Sequence, residues 1–113
     1  CMQDIPKGAA MLTLAYRPFR SLQPYAETGP IFICAEECSP WSGHGLPPIL
    51  TASPDYLLKG YGLDGRICYG TGKVIAHNEI IAYASSLLDR SEIAFVDVRS
   101  ARNNCFQLRI IRA

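Results

Sequence analysis

No stretch of this chain approaches the ~20 consecutive apolar residues that cross a bilayer as a helix. An excess of one charge is missing too: 11 Lys and Arg stand against 10 Asp and Glu, a formal net charge of +1. Nucleic-acid binders gather a strong basic excess on one face, so the composition argues against nucleic acid as well as against a membrane. Histidine is scarce, with only His44 and His77. The five cysteines (Cys1, Cys34, Cys38, Cys68 and Cys105) are odd in number and spread over apolar segments. That does not make a closed disulfide framework and fits reduced thiols of the cytoplasm. Gly70-Thr71-Gly72-Lys73 lacks the spacing of a phosphate loop and reads as a bulge or turn.

What is present is an ordinary globular composition: 113 residues, 49% hydrophobic and 19% charged. A chain of that length buries about two thirds of its surface without disulfides or metal. Residues 1–113 are read as a single domain. Because the chain begins with Cys1 rather than Met, an N-terminal segment is expected to be missing.

Met11–Tyr16 alternates as a strand and ends at Arg17-Pro18, where proline removes a ladder donor. Gly29-Pro30 introduces Ile31–Ala35, whose nearly continuous apolar run predicts a central strand covered on both faces. Glu36–Pro48 is a long irregular loop carrying Trp41 and His44, of a length that often serves as a lid. Trp41 reads either as a plug onto the core or as a ligand contact. Tyr56–Leu63 and Arg66–Tyr69 flank Asp64-Gly65, a two-residue hairpin signal of type I′ that would pair Leu63 with Arg66 and Tyr61 with Cys68. Asn78–Arg90 is the principal helix. Ile80, Ala84, Leu87 and Leu88 make its buried stripe, with Asn78 as N-cap. The fold class is α+β: a mostly antiparallel sheet of about six strands with one helix packed on a face. Cover for the other face would come from curling of the sheet or from a homodimer.

The last twenty-one residues concentrate the chemistry. Ile93–Arg99 and Cys105–Ile111 read as two strands around the polar loop Ser100–Asn104. Pairing Val98 with Phe106, Val96 with Leu108 and Ala94 with Ile110 buries one clean apolar face. The reverse face then carries Asp97 and Arg99 beside Cys105, Gln107 and Arg109, with Arg99 across from Cys105. One reading is a solvated outer face with an Asp–Arg pair. The other is the floor of a ligand site, in which Arg99, Arg102 and Arg109 offer forks to a small anion and Asn103 and Asn104 offer amides. Asp97 and Trp41 complete that candidate set. A cationic Arg99 beside Cys105 would favour thiolate, which makes Cys105 a candidate nucleophile with His44 or His77 as base. Cys34, Cys38 and His44 follow C-x3-C-x5-H, but a closed zinc site wants a fourth ligand close to the third. No metal and no cofactor are expected.

Gly29-Pro30-Ile31-Phe32-Ile33, Tyr61-Gly62 with Gly65-Arg66-Ile67, and the closing Ala94–Phe106 and Arg109–Ala113 segments resemble the bacterial domain-of-unknown-function family 1203. The resemblance spans most of the chain and is tightest at Cys105, Phe106 and Arg109. It implies a cytoplasmic bacterial protein and no established activity. The family usually has histidine where Asp97 and Arg99 stand here, and glycine where Asn104 stands. Three functions follow as expectations. The first is a small-molecule domain binding an anionic metabolite through the C-terminal hairpin. The second is a cysteine-dependent enzyme acting through Cys105, and the third a structural or dimerisation module.

Overall fold

Four strands form the main sheet of the computed structural model, which describes residues 1–113. They are β3 (Asp55–Tyr61), β4 (Lys73–Ala76), β5 (Phe95–Ser100) and β6 (Phe106–Ile111). The sheet is antiparallel, in the order β4-β3-β5-β6. A separate two-stranded antiparallel sheet pairs β1 (Met11–Tyr16) with β2 (Gly29–Cys34). The helix α1 spans Ile80–Leu88. The class is therefore α+β with six antiparallel strands and one principal helix, as expected. The strands divide into two sheets, and the main sheet does not close on itself.

Period-two alternation sorts the residues of the main sheet. Tyr56 and Leu58 on β3, Val96 and Val98 on β5, and Ile75 on β4 share one face. Helix α1 lays Ile80, Ala84 and Leu87 on that face, with Leu50 and Ile93 filling the edges of the core. Leu108 and Ile110 of β6 pack against it half-buried, so the two C-terminal strands do share a greasy side. The helix is shorter than its periodic pattern. His77–Glu79 form a 3-10 turn, and Asn78 caps nothing.

Three expected pairings are corrected. The β5–β6 register is shifted by two residues, so that Val98 faces Leu108, Val96 faces Ile110 and Asp97 faces Arg109. A shift of two keeps every side chain on its face, which is why the apolar pattern alone did not distinguish the two registers. A bulge between Val98 and Arg99 then sets Arg99 opposite Phe106 rather than Cys105. At the 62–65 turn, Gly62 N–H bonds Arg66 O, Gly65 N–H bonds Gly62 O, and Gly65 has φ +77°. This is a three-residue loop with glycine in the left-handed position, not a type I′ turn. Residues 66–69 then give β3 only a single bridge, Tyr61 to Ile67, and the true neighbour is β4. The third correction is β2. Its one strand neighbour is β1, and Phe32 and Ile33 are exposed. The central, doubly covered strands are β3 and β5.

The second face of the main sheet is covered from within the chain. Residues 17–28, joining β1 to β2, cross it. Phe19 packs on Tyr61 and Phe95, with ring centroids 5.3 and 6.4 Å away, and Tyr61 stacks on Phe95 at 5.2 Å. Gln23 Nε2 donates to Gly65 O at 2.9 Å. The polar face of the C-terminal hairpin is thus an interior surface: Asp97 is 0% exposed and Arg99 3%. The solvated-face reading does not hold.

Candidate functional site

Beneath that covering segment β3, β5 and the β5–β6 loop point polar side chains at one carboxylate. Glu27 Oε1 lies 3.0 Å from Lys59 Nζ. Its Oε2 lies 3.0 Å from Arg99 Nη1 and accepts a hydrogen bond from Asn104 Nδ2 at 2.8 Å. Lys59 and Arg99 come together because alternate residues of adjacent strands share a face, and the β3–β5 register sets Lys59 against Asp97 and Leu57 against Arg99. Asn104 is delivered by a left-handed turn, φ +57°, which glycine and asparagine adopt most readily. Burial works to raise the Glu27 pKa, but the hydrogen bonds from Lys59 and Asn104 and the charges on Arg99 and Lys59 outweigh it. The carboxyl is held below its ordinary range.

Arg99 is only partly satisfied. Its Nη1 donates to Asn104 O at 2.9 Å, and its guanidinium lies over Phe106, 5.8 Å from the ring centroid. Its Nε and Nη2 are buried with no hydrogen-bond partner. Burial pushes the Tyr61 hydroxyl up to about 12, with Arg99 opposing and Asp97 and Glu27 adding to the rise. Tyr61 is therefore a neutral phenol here.

Next along β5, Asp97 is engaged twice by Arg109. Nε donates to Oδ1 at 2.6 Å and Nη2 to Oδ2 at 3.0 Å, while Nη2 also donates to Pro18 O at 2.8 Å. The guanidinium lies 3.7 Å from the Phe95 ring centroid. Burial raises the Asp97 carboxyl, and the Arg109 hydrogen bonds and charge only partly offset it. The face as a whole holds the cations Lys59, Arg99 and Arg109 against the carboxylates Glu27 and Asp97. One positive charge is uncompensated there.

A family model described as a protein of unknown function, DUF1203, matches residues 1–112. The chain belongs to the DUF1203 family. No curated protein and no solved structure is matched. Within this DUF1203 chain the structure brings together only part of the expected site. Asp97, Arg99, Asn104 and Arg109 lie on or beside the buried face, but Arg109 is spent on Asp97. Arg102 is exposed and meets Asp55 at 3.2 Å, and Asn103 is exposed. Trp41 and Arg109 line a cavity of about 580 Å³ with Leu46, Ala84, Leu108 and Ile110, a cavity that Lys59, Arg99 and Asn104 do not line. Cys105 is half-buried, and its Sγ faces Asn103 O at 3.7 Å. It borders a groove of about 790 Å³ that no histidine lines. His44 sits exposed in its loop.

Two residues of the DUF1203 cradle were missed in the sequence. Lys59 had a signal, as the lone charge in the apolar run Tyr56–Tyr61. Glu27 had none, since a carboxylate in a polar loop reads as solvated.

Proposed function

We propose that this protein is a small-molecule binding domain for an anionic metabolite, taken at the cradle of Lys59, Arg99 and Asn104. The observation that carries the reading is Arg99, buried with two guanidinium nitrogens unpartnered. Buried polar groups are almost always satisfied, and a buried cation left short of partners is costly. An incoming carboxylate or phosphate in the place of Glu27 would meet Arg99 end-on, at Nη1 and at the unpartnered Nη2, in a forked geometry that arginine favours. Glu27 shows what the cradle accepts, because it already holds a carboxylate there, on an irregular segment rather than on a sheet strand. In this reading Glu27 is a placeholder that the ligand displaces.

Thermal shift with small mono- and dicarboxylates and inorganic phosphate tests it. Glu27→Ala empties the cradle and is expected to be stabilised by an anion more than the parent protein is. Adding Arg99→Lys, which cannot present a fork, is expected to remove the gain. Asn104→Gly, which suits the left-handed turn, should weaken it. An E27A protein that no anion stabilises beyond the parent refutes the reading.

A second reading, self-association, is favoured by the apolar side chains on the two-stranded sheet. Met11, Leu12, Leu14 and Phe32 are 42–57% exposed. Sedimentation at rising concentration tests it, and a monomer throughout removes it. The odd set of unpaired cysteines and the family resemblance support a reducing, cytoplasmic setting in a bacterium. No helix is long and apolar enough to cross a membrane.

A further inference from the structure

A second group of side chains lies away from the anion cradle and shares none of its residues. Cys34 closes β2, Cys38 follows in the next loop, and Cys1 is brought alongside by the segment that precedes β1. The Sγ atoms of Cys1 and Cys34 are 3.9 Å apart, and all three sulfurs lie within 4.8 Å of one another. Two physical points bear on what such a trio does. A disulfide needs ~2.05 Å between sulfurs, and none of the three is paired. Tetrahedral zinc with Zn–S bonds of ~2.3 Å places its sulfurs ~3.8 Å apart, so closing the trio into a coordination triangle takes shifts of about 1 Å at most.

We propose that Cys1, Cys34 and Cys38 form a thiolate site for a d10 cation, Zn²⁺ foremost. Three soft donors select zinc or its heavier congeners over magnesium and calcium. All three cysteines line the groove of about 790 Å³. The fourth coordination position opens toward it, as in zinc sites that keep a place for water or substrate. Glu36 and Glu37 line the same groove and add negative charge that draws a cation in. The spacing C-x3-C-x5-H pointed to the wrong third ligand. His44 stays on its exposed loop, and Cys1 takes the place from 33 residues before Cys34. The pairing is invisible in sequence because it depends on where the N-terminal segment docks. That segment is held there by two backbone bonds, Ile49 N–H to Met2 O at 3.3 Å and Ala35 N–H to Ala10 O at 3.1 Å. A cation would cross-link it to the end of β2, and binding would release thiol protons to solvent.

The test is a titration of the fully reduced protein with Cd²⁺, read by the ultraviolet thiolate-to-cadmium charge-transfer band, with Zn²⁺ as competitor. The expected result is saturation at one ion per chain, displacement by Zn²⁺, and protection of the N-terminal segment from protease. Cys38→Ser removes an exposed side chain and leaves the core untouched. It is expected to weaken binding by more than about tenfold, since even an outer-shell partner of a metal site is worth that much. Cys68→Ser, at a cysteine that does not line the groove, should bind as the parent does. A band that never saturates, one unchanged in C38S, or one lost in C68S overturns the proposal. So does a disulfide within the trio that persists under thiol reductant.

Discussion

A single guanidinium–carboxylate pair shows how residue context sets energetics in this protein. Were Asp97 and Arg109 on a solvated face, their pair would contribute roughly 0–1 kcal/mol. Asp97 is instead fully buried, and removing Arg109 strips its carboxylate of both hydrogen bonds and leaves only the charge of Arg99 to offset it. Arg109→Ala is expected to cost about 3–5 kcal/mol in urea unfolding at neutral pH. In that variant the Asp97 pKa, already raised by burial, climbs further. The penalty for burying the anion applies above that raised value, so the deficit should shrink as pH falls through it. Glu27 behaves in the opposite sense. Its folded pKa is depressed below its ordinary 4.5. Its stabilising contribution is fully present above 4.5 and is lost as pH falls through the depressed value. The stability gap between the parent and Glu27→Gln should therefore close in that acid window and stay constant above it. The Asp–Arg neighbourhood was legible from strand alternation, but the burial that sets its energetics was not.

Elements were legible where a long period repeated. The stripe Ile80, Ala84, Leu87 and Leu88 needed only the helical repeat; the first three are buried, and Leu88 packs half-buried against the core. Short-range signals were weaker guides. Asp64-Gly65 does make a turn, but with a three-residue loop, because Gly62 and Arg66 close it. The strand that completes the β3 edge, Lys73–Ala76, lies beyond a connection whose decisive residue is Thr71. Its hydroxyl accepts from Gly60 N–H at 2.9 Å and donates to Cys68 O at 2.6 Å, fully buried. It thereby terminates the backbone bonds of β3 where no strand can. Thr71→Val keeps the shape but orphans Gly60 N–H. Chemical denaturation should register a loss of about 1–3 kcal/mol, with the slope of the transition unchanged.

At the scale of the whole molecule, stability is uneven. The core lies between α1 and the β3–β5 pair, while both strands of the β1–β2 hairpin keep large apolar side chains exposed. Native-state hydrogen exchange should therefore find the slowest amides on β3 and β5 and much faster exchange on β1 and β2. Equal protection across both sheets would contradict this partition. The sequence by itself determined the α+β class, the helix stripe, the folding-back of β5 on β6 and which residues alternate together, because each depends on periodicity within one segment. Only the tertiary structure decided that Ile31–Cys34 lies at a margin and that residues 17–28 cover the polar face. It also decided that Glu27 meets Arg99 and that Cys1 meets Cys34. Those contacts join residues 33 to 72 positions apart. Their partners are selected by how the layers dock, and no local pattern encodes that choice.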